Sequence, residues 1–251
     1  MKIAITGKGG VGKTTFSAIL SKLYAQDGYN VLAVDADPDA NLALALGFPQ
    51  DIIDTITPIA ELKDLVKDRT KSTADTFSTM FKINPKVDDI PEKYATKYDG
   101  IKLLSLGNID LGGGGCICPE SVLLKRLMSY MVTDGKDVLI LDMEAGLEHL
   151  GRGTAEGVDA FIVVVEPGLR SIQTYHNVAR LAKDIGVNKV YVVANKIKSD
   201  KDKDYIKEHI GDACLGYITF RDEVAESDRE GKTPFDISQT VKEVADIRSK
   251  L

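Results

Sequence analysis

The chain has 251 residues, 43% of them hydrophobic and 28% charged, which is enough to bury a full-sized core. A formal net charge of −6, with basic residues spread along the chain, argues against a sequence-independent nucleic-acid binder, which needs a basic face. There is no apolar run of about 18 residues to span a bilayer, no long apolar signal region at the start, and too few cysteines for a disulfide framework, so a cytoplasmic protein is expected.

In chain order, apolar runs bounded by turn residues alternate with helical patterns. A strand is predicted at KIAIT (2–6), then a helix over 14–27 and a second strand at NVLAVD (30–35). Residues 48–100 break the rhythm. Rich in Asp, Lys, Thr and Pro, they read as a helical elaboration on the sheet, with short pieces at 58–68 and 74–81. Strands follow at KLLSL (102–106), DVLILD (137–142), AFIVVVE (160–166), KVYVVAN (189–195) and CLGYIT (214–219), with helices over 119–132, 169–185 and 201–209. Several strands are continuous β-branched runs, which suits a parallel sheet buried on both faces. Near the end Ile237, Val241, Val244, Ile247 and Leu251 recur at helical spacing. Their mixed-charge opposite face favours a helix docked on the core over a membrane anchor. The expectation is one α/β domain over 1–251: a doubly wound, mainly parallel sheet with helices on both faces.

The segment 7-GKGGVGKTT-15 lies between the first strand and the first helix and satisfies G-x-x-x-x-G-K-[ST] through Gly7, Gly12, Lys13 and Thr14. Glycines let backbone N–H groups curl around a phosphate at a helix N-terminus, whose partial positive charge favours anions. Gly9, Gly10, Val11, Gly12, Lys13, Thr14 and Thr15 are the predicted nucleotide-binding set. Lys13 reaches the β- and γ-oxygens of ATP, and the Thr14 hydroxyl ligates Mg²⁺. A glycine turn that binds nothing is the plainer alternative, but strand, loop and helix come in the order the motif requires.

Lys8, at the start of this loop, makes the form K-G-G-x-G-K-[ST], which resembles the deviant Walker A family of dimeric ATPases. The resemblance implies a homodimer in which Lys8 reaches the other subunit's nucleotide as a charge clamp, acting in catalysis with Lys13. In 31-VLAVDADPDANLA-43 it assigns Asp37 to switch I, orienting or deprotonating the attacking water and touching the Mg²⁺ shell. Asp142, ending 138-VLILD-142, matches the Walker B position and holds Mg²⁺ through a water; the role of Glu144 stays open. Asn195 matches the residue that reads adenine. Phe220 and Arg221 form a second base-side element in 218-ITFRD-222, where relatives often carry Pro in place of Thr219.

The loop 112-GGGGCICPE-120 sets Cys116 and Cys118 one residue apart after four glycines. Cys214, in an apolar run, reads as a small core residue, whereas a glycine loop has no core to bury a thiol in. In an extended C-x-C both sulfurs face the same side and can reach one ion. Metal binding is the favoured reading, ahead of redox chemistry, which a strained one-residue ring opposes, and of simple packing. A structural Zn²⁺ or square-planar Ni²⁺ takes four ligands, and the dimer that the resemblance at Lys8 implies would supply the other two, from both cysteines of a second copy across a two-fold axis.

With KGGVGKTT, VDADPDANL, NPKVDDIPEKY, the C-x-C and EHLGRGT, the chain resembles, nearly end to end, the CooC- and AcsF-type nickel-insertion ATPases. What that resemblance implies is an ATP- and Mg²⁺-dependent metallochaperone, its homodimer promoted by ATP or metal. It carries Ni²⁺, with Zn²⁺ possible on the same thiolates. The implied client is apo carbon monoxide dehydrogenase or acetyl-CoA synthase, with no nucleic acid and no membrane as partner. The alternatives are a ParA- or MinD-like positioning ATPase that binds DNA or membrane in its ATP state, and an electron-donating ATPase with an iron–sulfur cluster.

Overall fold

A computed structural model describes residues 1–37, 39–71, 82–107, 119–130, 135–144 and 158–251. Eight strands form one sheet: β1 (Lys2–Thr6), β2 (Asn30–Asp35), β3 (Thr96–Tyr98), β4 (Ile101–Ser105), β5 (Asp137–Asp142), β6 (Ala160–Val165), β7 (Val190–Ile197) and β8 (Cys214–Thr219). Their order is β3-β4-β2-β5-β1-β6-β7-β8. Every neighbouring pair is parallel except β3–β4.

Alternate residues of each central strand enter opposite cores, which is why the strands read as unbroken apolar runs. On one face Ile3, Ile5, Val138, Ile140, Ile162 and Val164 meet Phe16, Ile19 and Leu20 of the helix Lys13–Gln26, and Val244 and Ile247 of the helix Ser238–Arg248. On the other, Ala4, Leu139, Leu141, Phe161 and Val163 lie in one core with residues of the helices Lys63–Thr70, Pro119–Tyr130, Leu169–Asp184 and Asp200–Ile210. The helix Asp200–Ile210 starts with a capping box, the Ser199 hydroxyl accepting from the Asp202 N–H and the Asp202 carboxylate from the Ser199 N–H.

Seven of the eight strands coincide with the apolar runs, within one or two residues at their ends. The eighth, β3, was not legible: it is a three-residue antiparallel edge, Thr-Lys-Tyr, without an apolar pattern. In the 48–100 region the piece read at 58–68 is a 3₁₀ turn, Ile59–Glu61, followed by the helix Lys63–Thr70. Short helices also form at Leu42–Ala45, Gln50–Ile53 and Ile90–Tyr94. The helix Asp222–Arg229 buries no residue fully, so it left no apolar stripe to read. The helical piece expected at 74–81 and the cysteine loop at 112–118 lie outside the described residues.

Phe161 is fully buried on the central strand β6. Phe161→Ala is therefore expected to lower unfolding free energy by about 3–5 kcal/mol in urea titration, the usual cost of deleting a buried aromatic ring.

Candidate functional site

In a parallel sheet every strand ends at the same edge, and ligands bind in the crevice beyond it. Here the loop after β1 runs directly into the helix that begins at Lys13. A cleft of about 570 Å³ opens at this edge, bounded by Gly9, Gly10, Gly12, Lys13, Thr14, Thr15, Asp37, Glu144, Asn195, Phe220 and Arg221.

Gly12 has φ +95°, in left-handed space where glycine carries no steric cost, and a Cβ built there lies 2.3 Å from Asn195 Nδ2. That closeness reflects how the loop is held. Asn195 Nδ2 donates to the Val11 carbonyl at 2.8 Å, and Lys196 Nζ donates to the Gly10 carbonyl at 2.7 Å. Asn195 Oδ1 accepts from the Lys196 N–H at 2.8 Å, with Lys196 itself in left-handed space at φ +59°. Two consecutive loop carbonyls are thus pinned from behind by the end of β7. Asn195 is on the cleft wall, and much of its amide is committed to the loop; a second N–H and a second lone pair remain for a ligand.

Lys13 is only 6% exposed, and its Nζ lies 3.5 Å from the Lys8 carbonyl. Lys8 is half-buried and does not line the cleft of its own chain. Asp35 and Asp142 are register partners at the ends of β2 and β5, and they are 3% and 1% exposed. Asp35 accepts from the N–H groups of Asp37 (3.2 Å) and Leu42 (2.9 Å), so one carboxylate spans the loop that carries Asp37. Asp37 is partly exposed on the cleft wall and accepts from the Asp39 N–H at 3.0 Å. Asp142 Oδ1 accepts from the Ser17 hydroxyl at 3.0 Å, whereas its buried Oδ2 makes no hydrogen bond of ordinary geometry.

Burial pushes the Asp35 carboxyl up to about 7; the Leu42 N–H opposes this, and the neighbouring Asp142 charge adds to it. Burial likewise pushes Asp142 up to about 6, against the nearby hydroxyls of Thr14 and Ser17 and the Lys13 charge. A buried, unsatisfied carboxylate oxygen close to a threonine hydroxyl is a hard-oxygen donor set, so these residues fit Mg²⁺. Thr14, Asp37 and Asp142 are the residues that would hold it.

On the far wall the Lys198 ammonium lies 4.4 Å from the centre of the Phe220 ring. Arg221 forms a two-armed ion pair with Glu243. Cys116 and Cys118 lie outside the described residues. Four contributors went unread in the sequence: Asp35's span of the switch loop, Ser17, Lys196 and Glu243. For Lys196 a signal existed, since it adjoins Asn195 at a strand end. Asp35 is legible as a strand-end aspartate, though not its bonds across the loop; Ser17 and Glu243 carry no motif.

A glycine loop between the first strand and a helix, a buried lysine opening that helix and a buried aspartate ending the adjacent strand define a P-loop nucleotide-hydrolysing domain. Residues 2–118 and 119–235 match the CobQ/CobB/MinD/ParA nucleotide binding domain, and the chain belongs to that family. It is 42% identical to the carbon monoxide dehydrogenase accessory protein CooC of Rhodospirillum rubrum, over 98% of this chain and 93% of that one. It is 43% identical to an uncharacterized ATP-binding protein of Methanocaldococcus jannaschii, over 98% of this chain and 96% of that one. The structure of the septum site-determining protein MinD from Pyrococcus horikoshii, solved with Mg-ADP, superposes with a TM-score of 0.69. It matches 100% of this chain and 96% of that one at 21% identity, a likeness of fold. The protein is an ATPase of this family. Among the described residues, no helix is long and apolar enough to cross a membrane.

The raised carboxyls set a pH dependence. Their folded-state pKa values exceed the ordinary 3.8, so their contribution to stability is complete below about pH 4. It is lost as pH rises through about 6 for Asp142 and about 7 for Asp35. Asp89 and Glu92, held low by Arg69 and Lys102, change charge only in more acid solution. The nucleotide-free protein is expected to melt at higher temperature at pH 6 than at pH 8 by calorimetry. Asp35→Asn is expected to shrink that difference.

Proposed function

We propose that the protein is an ATP-driven nickel metallochaperone, a cytoplasmic homodimer that delivers metal to apo carbon monoxide dehydrogenase or acetyl-CoA synthase. The observation that carries this reading is the 42% identity with CooC across 98% of the chain. The C-x-C pair, Cys116 and Cys118, supplies a reason for the cargo to be a thiophilic ion. Neither nucleic acid nor membrane has a part in it.

In each subunit the triphosphate of ATP lies along Gly9–Thr15, with Lys13 facing the β- and γ-oxygens and the base toward Asn195, Phe220 and Arg221. Asp37 orients the attacking water and takes its proton. The water oxygen bonds to the γ-phosphorus as the bond to the β–γ bridging oxygen breaks, leaving ADP and phosphate. Lys13 and a second copy's Lys8 offset the charge on the transferring oxygens. Thr14, Asp37 and, through a water, Asp142 would hold Mg²⁺, which would supply positive charge to the phosphate oxygens. The dimer that Lys8 closes also unites two C-x-C pairs into a four-thiolate site for Ni²⁺, on which Zn²⁺ competes. Nucleotide and cargo are coupled only through the dimer states they prefer, whether the same state or different ones.

Asp37→Ala is expected to lower kcat for ATP hydrolysis by about 10²–10⁴-fold, the usual range for removing a general base, while ATP still binds. Cys116→Ala/Cys118→Ala is expected to abolish stoichiometric nickel binding in equilibrium dialysis and to prevent nickel-dependent activation of the apo-client. Its ATP binding should persist. Full-strength nickel binding by the double variant would remove the cargo site from this pair.

A further inference from the structure

The wall of the cleft facing the phosphate loop is built by Thr219, Phe220 and Arg221, at the end of β8. Thr219 and Phe220 are exposed, so little packing holds them. A single carboxylate on the last helix ties Thr219 and Arg221. Glu243 accepts from the Thr219 N–H at 3.0 Å and the Thr219 hydroxyl at 2.8 Å. It also accepts from Arg221 Nη1 at 2.7 Å and Nη2 at 2.9 Å.

Arg221 makes further bonds in this arrangement. Nη1 also donates to the Thr219 carbonyl and the Thr240 hydroxyl, each at 3.2 Å, and Nε to Gln239 Oε1 at 3.3 Å. Its guanidinium is therefore part of the wall. Phe220 adds one backbone tie, its N–H donating to the Ile197 carbonyl at 2.9 Å.

Glu243 is itself held rigidly. One turn further along the same helix Ile247 sits over Gly216, where a Cβ would come within 2.6 Å of it, and Val244 and Ile247 are buried. The absence of a side chain at Gly216 lets the helix approach β8 closely enough for Glu243 to reach Thr219. Burial alone pushes the Glu243 carboxyl up; the bonds from Arg221 and Thr219 outweigh it and leave the group lowered and charged. Glu243 does not line the cleft, so whatever it does to a ligand passes through residues 219–221.

We propose that Glu243 is a positioning residue for the base of the bound nucleotide: from the last helix it sets the Thr219–Arg221 wall against which the base lies. This rests on the reading that an adenine nucleotide occupies the cleft with its base on that wall. Tripolyphosphate, which carries the phosphates without a base, separates the two ends of the site.

The test is calorimetric titration of the full-length protein with ATP and with tripolyphosphate, for wild type, Glu243→Gln, Thr219→Val and Phe220→Ala. Glu243→Gln is expected to weaken ATP binding by about tenfold, the scale of a lost charge-assisted hydrogen bond, and to leave tripolyphosphate binding within about twofold. Thr219→Val keeps the ion pair and removes one of the bonds, so it is expected to shift ATP binding in the same direction by less. It also serves if Glu243→Gln does not fold. Equal weakening of both ligands by these variants, or of neither, overturns the proposal. Phe220→Ala tests the underlying reading. If it weakens ATP selectively while Glu243→Gln and Thr219→Val do not, only the role of Glu243 falls. If Phe220→Ala leaves ATP binding unchanged, the base does not lie on this wall and both ideas fall.

Discussion

A lysine and two aspartates share a nearly dry space at the carboxyl edge of the sheet, and the rest of the site is arranged around that fact. Lys13, Asp35 and Asp142 are all buried there. Removing such charges from water costs several kcal/mol each unless partners replace the lost hydration. Partners are present but incomplete. Asp35 has two backbone N–H groups and Asp142 has Ser17, while one oxygen of Asp142 has none. A cation and a triphosphate would complete this arrangement. Their binding free energy therefore adds to the stability of the folded state.

The chemistry follows from how the strands are laid down. Parallel pairing of β1, β2 and β5 brings the phosphate loop, the Asp37 loop and Asp142 to one edge without any of them being near in sequence. Asp35 then ties the Asp37 loop to this buried group. The buried strand ends and the loop that carries Asp37 are thereby joined through one carboxylate. This links packing at the strand ends to the switch behaviour expected of the ATPase.

Two later elements hold the cleft from outside. The end of β7 pins two loop carbonyls through Asn195 and Lys196, and the last helix braces the opposite wall through Glu243. One contact braces the phosphate loop and the other braces the Thr219–Arg221 wall. The last helix was expected to be a docked element, and it is. Its docking face buries Val244 and Ile247, while its flank carries the acid that bonds to Thr219 and Arg221 of the cleft wall.

Much of this was legible in residue order. The glycine loop, Lys13 and the aspartates at strand ends are local patterns, because a phosphate needs consecutive N–H groups and a strand needs consecutive apolar residues. Seven strands could be read for the same reason. Cys116 and Cys118 also belong to the sequence alone, as a pair whose spacing admits one ion. The tertiary structure decided what depends on residues far apart. It turned Asn195 toward Val11, spent Arg221 on Glu243, and made Asp35 and Asp142 neighbours in register. No pattern along the chain encodes these, since each is a hydrogen bond or register contact made across more than twenty residues by strands and helices that meet only after the sheet is assembled.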